Sequence, residues 1–469
     1  MLNLDESLNL KHSHPFLPNL HPDISDEMLK SISASSTEDL FQDIPSSLRI
    51  DSLNIPKSRT ENEVERYFDD IMSMNKTFPL HRCFLGGGVW PHYVPSIVDT
   101  TLSRSEFYTS YTPYQPEASQ GMLQALFEFQ SLICDLTGLD VANSSLYDWP
   151  TAVGEAARMA VRVKKKSKIV AARSSGPERL DVLQTYCKAI DIDINIVDFD
   201  HETGQLDLDK LSDAIDKNTA GVYVEHPNFF GVLEENIEEI SKITHENEAL
   251  FISGFEPLSL GLLKPPSDYG ADIAVGEGQP LGLHMNFGGP LLGLLATKLD
   301  DKILRQMPGR IIGETISQDG SKRGYTMILQ TREQHIRRDS ATSNICTNQA
   351  LCALAATIYL STLGENGLKQ VAESIAMNSN FASKAISNIP KFKSPYFDSP
   401  FFQDFTIGFN SDKSIENLPQ ILSDKGILGG LPLQNYYPEL KNAYLFCATE
   451  VHSISDIEFL VESLKEVSI

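Results

Sequence analysis

The stretch Asp272-Ile-Ala-Val-Gly-Glu-Gly-Gln-Pro-Leu-Gly282 places a short apolar run directly before a glycine-rich loop. The apolar run, Ile273–Val275, is typical of a buried strand, and the loop follows its carboxyl end. Five further apolar runs occur between residues 168 and 296, which gives six strand candidates in all. They are Lys168–Ala172, Asp193–Phe199, Gly221–Glu225, Ala249–Ile252, Ile273–Val275 and Leu291–Ala296.

Polar or helix-like segments, such as residues 206–216 and 236–247, separate the strand candidates. Strand and helix in alternation predict an α/β domain with a mostly parallel sheet that is covered on both faces. Sheets of this kind bind ligands at the loops that follow the carboxyl ends of their strands. We therefore expect a functional site in loops such as the one that contains Gln279.

The first 75 residues (1–75) predict a helical arm. Capping residues precede apolar positions at helical spacing in the segments that begin at Asp26 and Ser36. A segment of this length cannot bury a core by itself, so we expect the arm to pack on the main body or on a partner.

Residues 76–335 form the predicted large α/β domain, and residues 336–469 form a smaller α+β domain. In the large domain, an apolar periodic segment that starts at Leu123 predicts a helix ending at the glycine cap Gly138. The small domain is expected to combine a helix, two strands and a final helix. These four elements are predicted at Gln349–Leu363, Asp404–Phe409, Tyr444–Ala448 and Ser455–Val467.

The composition is that of a large globular protein, with 41% hydrophobic and 22% charged residues among 469. Its net charge of -24 repels nucleic acids and anionic membrane surfaces. Six cysteines without a Cys-x-x-Cys pair favour a reducing compartment, and no apolar segment reaches the roughly 20 residues of a membrane span. We expect a cytoplasmic protein that binds neither nucleic acid nor membrane. Its histidines lack ligand spacing, so we expect no metal site.

The loop around Gln279, together with Phe287-Gly-Gly-Pro290, resembles the lysine loop of enzymes that use pyridoxal phosphate (PLP), but it lacks the lysine. A PLP enzyme holds its coenzyme as an imine on a primary amine, and an amide nitrogen is not nucleophilic. The chain is therefore expected to be an enzyme subunit that cannot perform the enzyme's chemistry alone.

Further stretches extend this resemblance over nearly all of the chain beyond residue 15. They include Phe84-Leu-Gly-Gly-Gly88, Ser103-Arg-Ser-Glu-Phe-Tyr-Thr-Ser-Tyr-Thr-Pro-Tyr-Gln-Pro-Glu117, Pro227-Asn-Phe-Phe-Gly231, Leu260-Gly-Leu-Leu-Lys-Pro-Pro266 and Arg337-Arg-Asp-Ser-Ala-Thr-Ser-Asn-Ile-Cys-Thr-Asn-Gln349. In this order, they closely resemble the alpha (N-terminal) subunits of split P-proteins, the glycine decarboxylases of the glycine cleavage system.

The resemblance implies a PLP-dependent transferase of fold type I, with a large α/β domain and a smaller C-terminal α+β domain. It implies a paralogous glycine decarboxylase beta subunit that carries the PLP lysine in an α2β2 assembly, so that this chain alone binds no cofactor. It also implies the reaction: the substrate glycine is decarboxylated, and its aminomethyl group passes to the lipoyl arm of the lipoylated H-protein.

Fold type I enzymes place an acid under the pyridine nitrogen of the coenzyme, on a strand that precedes the imine lysine. Glu256 is the acid-like position here, 279 − 256 = 23 residues before Gln279. Glu256 and Gln279 are then relics of a coenzyme site, or Glu256 simply faces solvent at a strand end. A rival placement takes Asp272 and Lys298, 298 − 272 = 26 residues apart, as the acid and the lysine. It fits less well, because the Gly-Gly-Pro sequence follows Gln279 and precedes Lys298.

The segment Tyr147-Asp-Trp-Pro-Thr-Ala152 stands where fold type I enzymes bind the coenzyme phosphate at a helix start. Trp149 is bulky, Pro150 lacks an N–H donor and Asp148 repels an anion. Relatives usually have smaller residues there, and Thr151 is the relic position of this segment. The departure argues further against coenzyme binding, although proline is also common at an ordinary helix start.

A proline-stiffened loop, called here the tyrosine loop, carries the five candidate residues Tyr108, Tyr111, Tyr114, Gln115 and Glu117. Tyrosines in a stiff loop offer contact area at low entropic cost, with polar tips. One hypothesis is that the loop reaches the beta subunit and helps to line its PLP pocket. The alternative is a loop packed on its own domain.

Four polar residues stand where the two domains are expected to join: Arg332, His335, Asn344 and Asn348. An arginine in such a cleft could bind a carboxylate or the acidic surface of the H-protein. An interdomain hydrogen-bond network is the alternative interpretation.

Two other functional classes stay open on the sequence alone. One is an autonomous PLP-dependent amino acid decarboxylase with an unrecognised lysine, and it requires PLP to bind covalently to the isolated chain. The other is a non-catalytic scaffold subunit, which requires assembly with the beta subunit but no loss of rate when the tyrosine loop is altered.

Overall fold

The computed structural model of the chain describes residues 21–50, 52–286, 288–410 and 417–467. The first 20 residues of the predicted arm and Phe287 of the Gly-Gly-Pro segment lie outside these ranges. The chain divides into two compact units, one ending at Lys76 and the other beginning at Thr77. No helix among the described residues is both long enough and apolar enough to cross a bilayer.

The first unit consists of short helices and turns. Its α-helices are α1 (Pro22–Ser31) and α2 (Glu61–Met72), and its 3-10 helices are Thr37–Phe41 and Ser46–Leu48. Helix α1 begins four residues before the predicted Asp26, because proline is well tolerated in the first helical turn, where no N–H donor is needed. The predicted cap at Ser36 exists, with Asp39 completing a capping box. None of the described residues of this unit is buried, in line with its small size.

A seven-stranded sheet forms the centre of the second unit. Its strands are β2 (Val141–Ala142), β3 (Lys168–Ala172), β4 (Asp193–Val197), β5 (Thr219–Glu225), β6 (Leu250–Phe255), β7 (Ile273–Glu277) and β8 (Gly293–Thr297). Their spatial order is β2-β8-β7-β6-β5-β3-β4. Strands β3 to β7 are mutually parallel, whereas β8 runs antiparallel to β7 and β2 antiparallel to β8. All six strand candidates are found, and the prediction of a mostly parallel sheet is confirmed.

The helices of the second unit vary widely in length. They are α3 (Ser96–Leu102), α4 (Ser105–Tyr108), α5 (Gln120–Thr137), α6 (Trp149–Lys164), α7 (Pro177–Lys188), α8 (Leu208–Ala214), α9 (Ile237–Glu246), α10 (Asp301–Leu304), α11 (Gln334–Arg337), α12 (Ala350–Ser387), α13 (Leu418–Asp424) and α14 (Ile454–Val467). Helix α5 ends at Gly138, whose φ of 69° provides the predicted left-handed cap. Short 3-10 helices include Pro116–Ala118, Pro257–Gly261 and Gln330–Arg332.

Both faces of the seven-stranded sheet are covered, as the sequence predicts. Alternate residues of a strand point to opposite faces. Accordingly, Ile169 and Ala171 of β3 pack in a core with α6 and α7, whereas Val170 and Ala172 pack in a core with α8 and α9.

The remaining strands form three smaller sheets. These strands are β1 (Cys83–Phe84), β9 (Ile311–Ile316), β10 (Arg323–Ile328), β11 (Phe392–Lys393), β12 (Asp404–Phe409), β13 (Leu428–Gly429), β14 (Leu431–Pro432) and β15 (Ala443–Cys447). Strands β9 and β10 form an antiparallel pair, and β11-β12-β15-β14 form an antiparallel sheet. Strand β1 pairs in parallel with β13, although 428 − 83 = 345 positions separate their first residues. The domain division at residue 335 stays a prediction.

Helix α12 extends well beyond the predicted end at Leu363. The chain leaves helical geometry at Gly364, with φ 60° and ψ −175°, and then resumes the helix as far as Ser387. Glycine adopts this conformation without steric penalty. The helix resumes because Ala372, Ile375 and Ala382 are buried at helical spacing.

Candidate functional site

Gln279 lies in the loop after β7, where the sequence predicts a missing lysine, and its side chain is buried. The amide oxygen accepts a hydrogen bond from the backbone N–H of Trp90 at 3.0 Å. The amide nitrogen donates to the carbonyl oxygens of Trp90, at 3.2 Å, and Leu283, at 2.8 Å. Both kinds of polar atom on the amide are therefore engaged with the chain's own backbone. The position works as a structural clamp between the β7 loop and the segment around Trp90.

The amino end of α6, where a coenzyme phosphate would be expected, is occupied by carboxylates of the chain. Asp148 caps the helix and accepts the backbone N–H of Thr151 at 2.7 Å. The backbone N–H of Trp149 donates to Glu277 Oε2 at 3.2 Å, and Pro150 has no N–H. Asp148 is thus a cap as well as a repulsive charge, and the free donors that bind anions at helix starts are already used.

Glu277 is the buried last residue of β7. It also accepts the backbone N–H groups of Gln279 at 3.0 Å and Leu292 at 2.9 Å. Burial raises the pKa of Glu277 to about 8, against the opposing effect of its backbone hydrogen bonds. One carboxyl group therefore ties the start of α6, the Gln279 loop and the start of the β8 segment together.

A buried ion pair, Arg179 and Glu225, lies next to the cavity that Trp90 lines. The Arg179 guanidinium lies 4.1 Å from the Trp149 ring centroid, and it donates to both oxygens of Glu225 at 2.6 and 2.9 Å. Among the residues around them, Trp90, Trp149, Arg179 and Glu256 line a cavity of about 20 Å³. A cavity of this size admits about one water molecule, whereas ligand pockets measure roughly 300–1,000 Å³.

Taken together, these residues do not fit PLP. Where the resemblance places the imine-forming amine, the chain has an amide with backbone partners. The helix start expected to bind the phosphate holds two carboxyl groups, and the cavity that Trp149 and Arg179 line measures only about 20 Å³. No step of coenzyme chemistry is therefore assigned to this chain's own residues.

Glu256 directly follows β6 and is buried, so the interpretation that it faces solvent is wrong. Its carboxylate caps the 3-10 helix Pro257–Gly261 by accepting the backbone N–H groups of Leu258 at 3.0 Å and Ser259 at 2.7 Å. Burial raises the pKa of Glu256 to about 7. Its origin as a coenzyme-binding acid stays a prediction.

The rival pair Asp272 and Lys298 lies at the opposite edge of the sheet from Gln279. Asp272 precedes the first residue of β7, and Lys298 follows the last residue of the antiparallel strand β8, so both mark the amino ends of the parallel strands. Their side chains form an ion pair with each other, and His245 Nε2 lies 2.9 Å from Asp272 Oδ2. An acid and a lysine in direct contact leave no room for a coenzyme between them.

The tyrosine loop is exposed at its aromatic side chains. Tyr111 is 86% exposed, Tyr108 is 69% exposed and Tyr114 is 49% exposed. Gln115 and Glu117 are exposed as well. The interpretation of a loop whose aromatic rings pack on their own domain therefore fails for Tyr108 and Tyr111.

Arg310, which the sequence analysis missed, lies beneath this loop and is buried. Its guanidinium donates to Thr112 Oγ1 at 3.0 Å and Tyr114 Oη at 2.9 Å. It also donates to Thr347 Oγ1 at 3.2 Å and the Cys346 carbonyl oxygen at 2.6 Å. A charged residue directly before the apolar start of β9 was the available sequence signal, because such a residue must find partners when it is buried.

Arg332 and Asn348 are buried and bind backbone carbonyl groups. Arg332 donates to the carbonyl oxygens of Met307 and Gly309, and Asn348 donates to that of Ser144 at 2.7 Å. These contacts favour the hydrogen-bond network over a carboxylate-binding role. Arg332 thereby holds the segment that leads into Arg310, and Asn348 holds Ser144, whose backbone N–H donates to the Arg310 carbonyl.

His335 and Asn344 are the two exposed members of the predicted group. The His335 ring makes an edge contact with Tyr114, with 6.3 Å between the ring centroids. Its Nδ1 lies 3.7 Å from Glu333 Oε2. The structure thus brings His335 to the tyrosine loop, whereas Asn344 stands at the surface.

Asp198, His201 and Glu439 are the one group of potential metal ligands that converges among the described residues. Arg173 forms hydrogen bonds with both Asp198, at 3.0 Å, and Glu439, at 3.1 Å through its second terminal nitrogen. Lys210 also lies 3.8 Å from Asp198. Two cations already neutralise these acids, so the group is an ion-pair network.

Comparison with known proteins gives matches over nearly the whole chain. The profile of the family described as glycine cleavage system P-protein matches residues 16–464. The probable glycine dehydrogenase (decarboxylating) subunit 1 of Staphylothermus marinus is 50% identical over 465 residues, which cover 97% of this chain and 98% of that protein. The protein of the same name from Aeropyrum pernix is 45% identical over 463 residues, with 97% and 99% covered.

Solved structures agree with the sequence matches. A crystal structure of glycine decarboxylase (P-protein) of the glycine cleavage system, in inhibitor-bound form, is 39% identical and superimposes with a TM-score of 0.85, covering 95% of this chain and 98% of that one. Glutamate decarboxylase of Lactobacillus brevis is 12% identical with a TM-score of 0.68, covering 90% and 96%, and shares the fold alone. The predicted fold type I architecture is confirmed.

Proposed function

The chain belongs to the glycine cleavage system P-protein family, and from this membership we propose that it is the alpha subunit of a glycine dehydrogenase of the decarboxylating, aminomethyl-transferring type. The proposed enzyme decarboxylates glycine and passes the aminomethyl group to the lipoyl arm of H-protein. PLP, which acts as the electron sink of the decarboxylation when bound, is held by a paralogous beta subunit. The assembly is α2β2 and works in the cytoplasm.

The observation that carries this proposal is the hydrogen bonding of Gln279. Its amide bonds to the backbone of Trp90 and Leu283 at the place where a fold type I enzyme needs an amine. A chain of this family that keeps the fold but has changed the anchoring residue fits the role of a partner for a PLP-bearing subunit. Glu256, Gln279 and Thr151 are, in this proposal, relics of an ancestral coenzyme site.

The tyrosine loop supplies this chain's direct contribution. Tyr108 and Tyr111 expose aromatic surface with hydroxyl tips, which suits a protein interface or the wall of a neighbouring pocket. We assign Tyr108, Tyr111, Tyr114, Gln115 and Glu117 to the lining of the beta subunit's pocket. His335, beside the loop, and the exposed Asn344 are assigned as contacts for a carboxylate or for the acidic surface of H-protein, while Arg332 and Asn348 bind backbone carbonyl groups.

Reconstitution with the beta subunit tests the proposal. Exchange of the glycine carboxyl group with bicarbonate in the presence of H-protein should require both chains. Borohydride should trap PLP on the beta subunit alone. PLP trapped on this isolated chain would instead support an autonomous decarboxylase.

Variants of the tyrosine loop separate a catalytic partner from a scaffold. Tyr111→Ala and Tyr114→Ala should lower the exchange rate in the assembled enzyme, and Tyr111→Phe should show how much of the loss is due to the hydroxyl group. Tyr436→Ala is the matched control, since Tyr436 is 46% exposed and lies outside the loop. Unchanged rates in all loop variants, with normal assembly, would leave only the scaffold alternative.

A further inference from the structure

One buried guanidinium joins two segments that are far apart in the sequence. Arg310 is 2% exposed. Its Nη1 donates to Thr112 and Thr347, and its Nη2 donates to Tyr114 and the carbonyl of Cys346. Two of these partners belong to the tyrosine loop, and the other two precede α12.

We propose that Arg310 is the positioning residue of the tyrosine loop, fixing its inner side so that Tyr108 and Tyr111 point outward in one defined arrangement. This inference rests on the proposed function of the loop in the partner's pocket. Arg310 itself touches neither substrate nor coenzyme and acts through Tyr114 and Thr112.

The geometry requires arginine in particular. A guanidinium presents five donors in a fixed planar fork, whereas a lysine ammonium is a point charge without that fork. Arg310 uses its two terminal nitrogens for four acceptors, and its Nε lies 3.9 Å from Glu333 Oε2, which balances the charge. The guanidinium is buried, whereas its partners Tyr114, Cys346 and Thr347 are exposed. Without the guanidinium, water would bind these groups and the fork would no longer hold the two segments together.

The backbone of Arg310 is held as firmly as its side chain. Asn143 donates to the Pro308 carbonyl at 3.0 Å, and Arg332 donates to the Gly309 carbonyl at 3.1 Å. The backbone N–H of Ser144 donates to the carbonyl of Arg310 itself at 2.8 Å. Gly309 has a φ of 71°, and an added Cβ would lie 3.1 Å from the Asn143 amide nitrogen. The guanidinium is therefore placed before any partner binds, which is the condition for precise positioning.

The experiment uses Arg310→Lys and Arg310→Ala in the complete assembly with the beta subunit. Both variants should assemble and hold PLP normally, while kcat/KM for glycine falls about 10-fold or more, since a small misplacement of a positioned group costs up to about 100-fold. Added free guanidinium should restore much of the rate of Arg310→Ala but not that of Arg310→Lys, in which the site is filled. Arg173→Ala, which loses two surface acids as partners, is the control that should show neither the loss nor the restoration.

A second measurement reads the loop directly in the full-length chain without its partner. Chymotrypsin cleaves after tyrosine, and it should cut after Tyr108 and Tyr111 several-fold faster in Arg310→Ala than in the wild type. If Arg310→Ala does not fold, the double variant Thr112→Val with Tyr114→Phe removes two of the four acceptors of Arg310. It should show both the lower kcat/KM and the faster chymotrypsin cleavage.

The outcomes separate the two proposals. In one outcome, the Arg310 variants show the kcat/KM and the chymotrypsin cleavage rate of the wild type while the assembled Tyr111→Ala enzyme has a lowered exchange rate. That result would overturn the role of Arg310 and leave the proposed function standing. A wild-type assembly that does not process glycine would overturn the proposed function itself. Lost kcat/KM with guanidinium restoration and faster cleavage supports the positioning role.

Discussion

Gln279 and Trp90 are joined by a reciprocal pair of hydrogen bonds between a side-chain amide and a backbone peptide group, at 3.0 and 3.2 Å. The two residues are 189 positions apart. An amide carries both an acceptor and donors, as a peptide group does, whereas a lysine ammonium offers donors alone. Gln279 therefore closes a long-range contact that a lysine at this position could not reproduce.

Gln279→Lys should not capture PLP. The carboxyl groups of Asp148 and Glu277 still occupy the helix start, and the cavity that Arg179 lines still measures only about 20 Å³. We expect no borohydride-trapped coenzyme in mass spectra of the variant, with the beta subunit as the positive control. The variant should also lose about 1–3 kcal/mol of unfolding free energy in urea, because the buried Trp90 N–H loses its acceptor. Stoichiometric trapping at residue 279 would contradict the filled site.

Removing one member of the Arg179–Glu225 pair should destabilise the chain strongly. Arg179→Met leaves the Glu225 carboxylate buried without its bidentate partner, a loss of about 3–5 kcal/mol. The double variant Arg179→Met with Glu225→Gln should cost less than the sum of the two single variants, because it removes both charges. Urea unfolding of all four proteins measures this coupling, and additive losses would mean that the pair is not energetically linked.

Asp404→Asn should remove part of the pH dependence of stability. Burial and the nearby Glu256 raise the pKa of Asp404 from 3.8 to about 7, opposed by the Trp90 hydrogen bond. The folded state therefore binds the proton more tightly than the unfolded state, so this group's stabilising contribution is present below pH 4 and is lost as the pH rises to about 7. The total effect is at most on the order of 4 kcal/mol.

The asparagine variant keeps an acceptor for the Trp90 indole N–H, which lies 2.7 Å from Asp404 Oδ2. Its unfolding free energy relative to the wild type should rise between pH 4 and 7 and level off above that range. Gln184→Asn, at an exposed position on α7 that carries no titratable group, is the control with a flat difference. A flat difference for Asp404→Asn as well would show that this carboxyl group titrates alike in both states.

Gly364→Ala should destabilise the chain although nothing stands within 4 Å of the added Cβ. The loss, about 1–3 kcal/mol, comes only from the backbone, because alanine must adopt the φ of 60° at the α12 kink. Gly121→Ala in α5 is the matched control, with equally open surroundings and no positive φ. It should gain about 0.5–1 kcal/mol. Urea unfolding measures the change in unfolding free energy of each variant. A change in the same direction for both variants would contradict the backbone explanation.

The sequence predicted the central sheet well because local patterns decide it. Each buried strand, such as β3 over Lys168–Ala172, is a continuous apolar run between polar segments, and helix α5 ends at a glycine cap. The end of α12 was missed because Gly364 has the local appearance of a cap. Burial of Ile375 and Ala382 on the far side of the kink is a tertiary effect that local spacing does not reveal.

The sequence indicated the candidate site only through Gln279, the residue that departs from the lysine-loop pattern of PLP enzymes. Gln279 stood out against the resemblance, but the sequence left open whether Glu256 faces solvent, because its cap contacts depend on a buried turn. Arg310 escaped notice because its partners Thr112 and Tyr114 are 198 and 196 positions away. Contacts of that range leave no periodic trace in the sequence.

The pairing of β1 with β13 has a consequence for synthesis on the ribosome. A nascent chain that has released Cys83 must grow by 345 residues before Leu428 is added and the strand pair can form. Until then, the Phe84 ring, which is buried in the folded chain, is exposed to water. His452, whose Nε2 lies 2.9 Å from the carbonyl oxygen of Cys83, is added later still. We expect chains stopped prematurely before Leu428 to depend on chaperones and to be degraded rapidly in pulse-chase experiments.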